Sequence, residues 1–406
     1  MPSKVEKLKK TTPELRFPGF DGEWEEKKMG EVIAFLKGKG ISKDDIIGDG
    51  VNKCIRYGEL YTEYGEVVQK VVSLTNVPAE RSLESKFGDV MIPSSGETAW
   101  DIAVASCILE DGVLLGGDMN VLRPSHETDG IFLAYYLSNG SKRNIARLAQ
   151  GNSVVHLYSS YLRGLKLLVP TLREQKKIAD FLGTIDEWIE NLKAQKREWE
   201  AYKKGMMQKI FSQEIRFKDE DGNEFPDWEE KKLGRVSEIN PSSSALPEEF
   251  NYVDLESVDK GILSNPIKLQ FDVAPSRAQR VLKRGDILFQ TVRPYQQNNL
   301  FFDLDGDYVA STGYAQLRTK QVPQFWFQYI HSNNFLRKVL SRCTGTNYPA
   351  INSSDLKGTH VQVPDLAEQK KIAGFLSSVD DLINSHQEKI TRAEEWKKGL
   401  MQRMFV

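Results

Sequence analysis

The sequence predicts an α+β protein with a pseudo-two-fold internal repeat. Two strand-rich α/β domains are separated by two long antiparallel helices that form an intramolecular coiled coil. Three observations carry that expectation. Val-Pro-Thr-Leu-Arg-Glu-Gln-Lys-Lys-Ile-Ala-Asp-Phe-Leu, starting at Val169, returns without a gap as Val-Pro-Asp-Leu-Ala-Glu-Gln-Lys-Lys-Ile-Ala-Gly-Phe-Leu at Val363, 194 residues later. Each copy opens a heptad-like apolar seam. Before each copy lies a series of short apolar runs broken by Gly, Pro, Asp and Ser. A repeat of this period settles architecture ahead of any local reading.

In chain order, the repeated frame begins with Arg16-Phe17, Asp21-Gly22 and Trp24-Glu25-Glu26-Lys27-Lys28-Met29-Gly30. These return as Arg216-Phe217, Asp221-Gly222 and Trp228-Glu229-Glu230-Lys231-Lys232-Leu233-Gly234. The interiors that follow, roughly 35–145 and 240–335, resist alignment beyond scraps such as Gly88-Asp89-Val90 beside Gly285-Asp286-Ile287. Runs such as 88–93, 107–109, 285–290 and 360–363 suit strands. Short helices are expected near 132–138, 142–149 and 325–340. Past Pro170 the apolar positions are Ile178, Leu182, Ile185, Ile189, Leu192, Trp199, Tyr202, Met206 and Ile210. Past Pro364 they are Ile372, Leu376, Val379, Ile383, Ile390, Ala393, Leu400 and Met404. A proline just ahead of a helix start is tolerated, and about 40 residues of this pattern make a helix ~60 Å long. Two seams of equal length can bury each other. The antiparallel pairing puts the domains at opposite ends, a near two-fold ring of domain, helix, domain, helix. The expected division is a first domain over 1–170, a spacer over 171–214, a second domain over 215–364 and a second spacer over 365–406.

Composition narrows the function classes. With 406 residues, 55 Lys and Arg, 57 Asp and Glu and a net charge of −2, the chain lacks the basic excess of many nucleic-acid binders. Any DNA contact must then use locally concentrated positive charge, or charge from other subunits. No apolar run approaches the ~20 residues of a membrane span, and the polar start from Met1 to Lys10 is unlike a signal peptide. Three unpaired cysteines, Cys54, Cys107 and Cys343, suit a reducing cytoplasm. His126, His156, His331, His360 and His386 are scattered without zinc-ligand spacing. No Phe-x-Gly-x-Gly loop or Asn/Asp-Pro-Pro-Tyr run occurs, as a methyltransferase acting on an extruded adenine would need. Pro226-Asp227 with Glu229-x-Lys231 imitates a nuclease motif, but Glu25-x-Lys27 repeats it at a structural junction.

The paired Pro-x-Leu-x-Glu-Gln-Lys-Lys-Ile-Ala segments at Pro170 and Pro364, the long helices after them, the Arg-Phe…Trp-Glu-Glu-Lys-Lys-x-Gly lead-ins and the unlike interiors together resemble the specificity subunit of type I restriction–modification systems. The resemblance covers essentially the whole chain. It implies two target recognition domains, each reading one half of a bipartite, asymmetric double-stranded DNA target, and a helix pair that sets the half-site spacing. It also implies assembly with two modification subunits, which carry S-adenosylmethionine and methylate adenine, and with motor-nuclease restriction subunits. This chain would then hold no cofactor or metal and perform no catalysis. The competing expectation is a coiled-coil adaptor with two protein- or sugar-binding domains, which the slightly acidic balance favours.

Base edges are read by side chains while phosphate contacts set register, so the DNA-binding candidates are polar, basic and aromatic residues in the unlike interiors. In the first domain these are Lys37 and Lys39 in a flexible Lys-Gly-Lys-Gly loop, Lys53, Arg56 and Tyr57 near a strand end, and Ser94, Ser95 and Thr98 after Pro93. In the second they are Thr291, Arg293, Tyr295, Gln296, Gln297 and Asn298, with Arg277 and Arg280 beside Lys283-Arg284 as phosphate partners. The matched loops contribute Asn152 and Ser153, and Thr346, Asn347 and Tyr348. Trp24 and Trp228 read as anchors between domain and helix, Lys203-Lys204 and Lys397-Lys398 as solvated. Asp186 and Asp380 receive no role.

Overall fold

The lead-in of each half folds back onto the last strand before the long helix. Glu25–Lys28 pairs antiparallel with Lys166–Val169, and Glu229–Lys232 pairs antiparallel with His360–Val363. In the computed structural model, which describes residues 11–243, 245–259 and 261–406, the chain divides into two units. One runs up to Leu192 and takes in Glu388–Val406; the other is Lys193–Gln387. The long helices, Leu172–Phe211 and Leu366–Met404, are each shared between the units.

In the first unit a five-stranded sheet has the order Ile33–Lys37, Met119–Pro124, Val90–Pro93, Ser106–Ile108, Val67–Val68, antiparallel except for the last pair. A four-stranded sheet joins Asn52–Ile55 to Leu114–Leu115 in parallel. In the second unit Ser237–Ile239, Tyr314–Thr319 and Ile287–Gln290 repeat the first three positions of the larger sheet. The second sheet again has a parallel central pair, Glu249–Val253 with Tyr308–Ser311. Interiors that share almost no sequence thus share a topology.

The scraps that do align hold this frame. Asp89 accepts two bonds from Arg123, at 2.8 and 2.7 Å, just before Val90–Pro93 begins. Asp286 does the same with Arg318 before Ile287–Gln290, at 2.8 and 2.7 Å. Both carboxylates are buried, and such bidentate, charge-assisted pairs are strong and geometrically specific. The repeated helix-start signature has an equally local cause. Glu174 and Glu368 are buried and grip Arg16 and Arg216 of the two lead-ins. Gln175 and Gln369 donate to the carbonyls of Pro170 and Pro364, at 2.9 and 3.0 Å. Trp228 donates its indole N–H to Glu368 at 2.9 Å; Trp24 packs edge-on against Phe132 instead.

The apolar seam residues Ile178, Leu182, Ile185, Ile189 and Leu192, and Ile372, Leu376 and Val379, are buried. Toward the helix C-termini Ile210 and Met404 are buried as expected, while neighbouring positions depart from the expectation. Met207 and Met401 are buried at positions where the heptad count pointed to Met206 and Leu400, and Tyr202 is exposed. There the helices dock on globular segments, with Phe211 against Phe325 and Tyr329, and Phe405 against Phe132 and Tyr136. A straight 3.6-residue helix drifts about 20° per heptad against a strict seven-residue repeat.

Of the lysines read as solvated, Lys204 and Lys398 are exposed, while Lys203 and Lys397 are a second correction. In the second unit Lys203 bonds Asp380 at 2.7 Å, and Gln328 bonds the same carboxylate at 2.7 Å. In the first, Lys397 bonds Asp186 at 2.6 Å and Glu66 at 3.1 Å, and the Tyr135 hydroxyl donates to Asp186. Those contacts give Asp186 and Asp380 their role.

Candidate nucleic-acid interface

In the second unit the chain leaves strand Ile287–Gln290 into the polar octet. The buried Gln290 side chain shapes the turn, donating to Gln296 Oε1 at 2.8 Å and accepting from Asn298 N at 3.1 Å. Arg293 and Gln297 sit in left-handed conformations, both at φ 52°, unusual for non-glycine residues and common at functional loops. A second loop closes over this one. Arg293 N donates to Pro349 O at 2.7 Å, Ile351 N to Thr291 O at 3.0 Å, and Val292 bridges Ala350. Across the junction the Arg293 guanidinium lies 4.3 Å from the Tyr348 ring centroid.

The first unit builds the same junction. Leu157 N donates to Ser94 O at 3.0 Å, and Ser95–Gly96 pairs antiparallel with Val155–His156. Gln150 bridges His156, as Thr344 bridges Ala350. Both reversals use a glycine at positive φ, Gly151 and Gly345; a Cβ on Gly151 would stand 2.1 Å from the Val154 carbonyl. The two loops expected to face DNA are therefore joined in each domain, with Asn152, Ser153, Thr346, Asn347 and Tyr348 exposed at their tips.

Other candidates are turned inward and need correction. Thr291 bonds Gly313 O at 2.8 Å, Gln297 bonds His331 O at 3.2 Å, and Asn298 donates to Val258 O at 2.5 Å. Their side chains complete backbone hydrogen bonding that burial would otherwise leave unmet. Ser95 is buried in its short strand pair. Tyr295 and Gln296 stay exposed, although Gln296 also holds Gln290. Ser94 is half-buried, and exposed Thr98 caps its own turn through Asp101.

The basic candidates divide similarly. Lys37 and Lys39 are exposed, but their loop is not free to flex. Gly38 N and Lys39 N donate to Met119 O and Leu115 O, and Ser82 bonds Lys39 O. Lys53 is neutralised by Glu110 at 2.7 Å, Arg56 is held at Glu59, and Tyr57 packs against a buried apolar cluster. Beside exposed Arg277, Arg280 is half-buried in Ala278–Val281, where burial holds its pKa below the ordinary value. Arg284 is engaged by Asp303 at 2.5 Å, which breaks up the expected cluster.

Sequence reasoning missed Trp100 and Tyr158, each about half exposed, at 54% and 51%. Lys142 lies over the Trp100 ring at 5.0 Å, and Tyr158 stacks on His156. It also missed Arg143 and Arg337, exposed on helices Lys142–Leu148 and Asn333–Leu340 that lead into the paired loops. Their signal was present: these arginines stand 194 residues apart, the offset of the repeat. Among the described residues no His, Cys, Asp and Glu grouping could hold a metal ion. No helix among them is long and apolar enough to cross a membrane.

Comparison with known proteins agrees with this architecture. The sequence model of the type I restriction modification DNA specificity domain matches residues 21–200 and again 226–395. The chain is 26% identical to the type I restriction enzyme MjaVIII specificity subunit of Methanocaldococcus jannaschii over 402 residues, 93% of this chain and 91% of that one. Its fold is similar to the crystal structure of a type I restriction–modification S subunit from M. genitalium, with TM-score 0.60 and 17% identity over 97% of this chain and 99% of the other. A chain from a structural study of complex assembly and conformational transition in the type I system superposes with TM-score 0.56 and 18% identity, over 97% and 99%.

Proposed function

This chain belongs to the type I restriction-modification DNA specificity family and is a specificity subunit; from that premise we propose that each domain reads one half of a bipartite, asymmetric target through its paired loops. The observation that carries the reading is the repeated junction of two loops on one frame. Ser94 and Thr291 hold Leu157 and Ile351 in the same way, while the side chains around them differ. A common frame with unlike side chains suits two readers of unlike sequences, since base edges discriminate by side chain and phosphates do not. The exposed Lys37, Lys39, Arg277, Arg143 and Arg337 are the proposed phosphate contacts.

The two long helices form the spacer of this reading, an antiparallel coiled coil. Its support within the second unit is the bonding of Lys203 to Asp380 and of Gln195 to His386, in which one number rises as the other falls. Within the first unit Phe181 meets Trp396 and Asp186 meets Lys397. Two modification subunits, which bring S-adenosylmethionine, dock on this spacer, and motor-nuclease restriction subunits join them. The chain itself performs no catalysis.

The docking sites fall at repeat-equivalent exposed apolar positions. Trp188 and Trp396 are 48% and 50% exposed in the first unit, and Leu382 and Tyr202 are 41% and 46% exposed in the second. Large exposed apolar side chains at matched positions, three of the four aromatic, are the expected anchors of an interface used twice. Trp188→Ala with Trp396→Ala should lower the complex from two modification subunits to one, measured by native mass spectrometry. Two subunits still bound would sink the assignment.

The direct test is single-molecule sequencing of N6-methyladenine in cells carrying the chain with a modification subunit, and in cells lacking the chain. A split motif that depends on the chain supports the reading. An unchanged pattern with demonstrably assembled complexes overturns it in favour of an adaptor.

A further inference from the structure

The paired-loop junction differs between the two halves at one point. Counting from the residues that hold the second loop, two positions past Thr291 is Arg293, and two past Ser94 is Gly96. The residue opposite Arg293 is Tyr348; its counterpart in the first repeat is Val154. A side chain there would force the buried Ile102 to shift, because a Cβ on Gly96 would lie 2.4 Å from Ile102 Cγ2. The second domain therefore carries a guanidinium stacked on an aromatic ring where the first has neither group.

Arg293 is held in an unusual way. Its backbone is left-handed, at φ 52° and ψ 54°, which an arginine adopts only when the surroundings impose it. Its N–H donates to the Pro349 carbonyl at 2.7 Å, and its guanidinium lies over the Tyr348 ring at 4.3 Å from the centroid. Its Nε is buried without a hydrogen-bond partner, and among the described residues no carboxylate pairs with the guanidinium. A half-buried guanidinium with no acceptor among the described residues is available to one outside the chain. Tyr348 is itself 64% exposed, so the stack lies at the surface.

We infer that Arg293, set over the Tyr348 ring, is the specificity-determining residue for a guanine in the half-site read by the second domain. This rests on the half-site reading proposed above and deepens it. A planar guanidinium braced on one face by an aromatic ring matches the O6 and N7 acceptors of guanine in the major groove. A phosphate needs no such bracing and carries no sequence information. The first domain, with Gly96 and Val154 at this place, makes no equivalent guanine contact.

The test uses methylome sequencing with the assembled modification complex for wild type, Arg293→Gly and Arg293→Lys. Glycine adopts positive φ readily, so Arg293→Gly removes the side chain while relieving the backbone. The expected result is a motif in which one guanine of a single half-site becomes degenerate, with preference lowered roughly 10- to 100-fold, while the other half-site is unchanged. Arg293→Lys should also lose that preference, because an ammonium cannot make the forked contact. Three outcomes would overturn the inference. Arg293→Gly could leave the motif intact, or lower methylation evenly at every site; or Arg293→Lys could retain full guanine preference, which marks a phosphate contact. If no split motif depends on the wild-type chain, the half-site reading itself fails, a result distinguishable from these three.

Discussion

Replacing Glu368 by Ala should lower the melting temperature of the protein more than replacing Glu174 by Ala, although the two are repeat equivalents. Each carboxylate is buried and accepts two bonds from an arginine of the lead-in, Arg216 or Arg16. Removing one partner of a buried ion pair costs about 3–5 kcal/mol, because the remaining charge has lost its compensation. Arg216 and Arg16 are 21% and 17% exposed, so water offsets part of that loss and the lower end applies. The second copy carries an additional load. Glu368 also accepts from the Trp228 indole at 2.9 Å, whereas the Trp24 indole nitrogen has no partner. A newly stranded indole N–H costs a further 1–3 kcal/mol, roughly. At about 2–4 °C per kcal/mol for a unit of this size, Glu368→Ala should fall roughly 8–24 °C, with Glu174→Ala several degrees milder. Equal melting deficits would show that the Trp228 bond contributes nothing.

The same residues explain why some of the fold was legible and some was not. Glu-Gln-Lys-Lys at the two helix starts stood out in the sequence because Glu174 and Gln175, like Glu368 and Gln369, are tied to their own lead-in and proline. Local, repeated constraints leave a repeated string. The interiors hid a common topology because a strand accepts any side chains of suitable pattern and burial, so only Asp89 and Asp286, paired across the sheet, kept a trace. At the candidate interface, residue type pointed to the right loops but not to orientation. Thr291 and Arg293 are two apart, yet one is buried on Gly313 and the other stacks on Tyr348. The turn between them is set by Gln290 and by Pro349 of a distant loop. Lys397 was misread for a similar reason. A lysine pair on a polar helix face looks solvated until distant carboxylates, one of them Glu66, are brought against it.

That lysine supplies the second large effect. Lys397 is 12% exposed and faces two carboxylates, Glu66 at 3.1 Å and Asp186 at 2.6 Å. Burial presses the Glu66 pKa upward, but the Lys397 ammonium and the Asn139 amide outweigh it and hold the group below the ordinary carboxylate value. For Lys397 burial acts downward, and the two carboxylates more than restore it, leaving its pKa raised. In the wild type, Glu66 thus contributes stability above its unfolded pKa, near 4.5, and loses it as pH falls through the depressed folded value. Lys397 contributes below its unfolded pKa, near 10.5, and loses that as pH rises through the folded one. Lys397→Met keeps most of the side-chain volume and removes the charge. Burial then acts on Glu66 without its counter-ion, so its folded pKa should rise above 4.5 and the sign of its linkage should reverse. The loss should be about 3–5 kcal/mol near neutral pH and should shrink toward pH 5, where Glu66 can take up a proton. Lys203→Met, the repeat equivalent, strands only Asp380, which is 32% exposed and keeps its bond from Gln328. Its cost should be smaller and flatter with pH. Thermal melts of both variants between pH 5 and pH 8 decide the matter. A Lys397→Met deficit that is constant across that range, or larger at pH 5, would remove Glu66 from the account and leave the packing of the lysine stem as the cause.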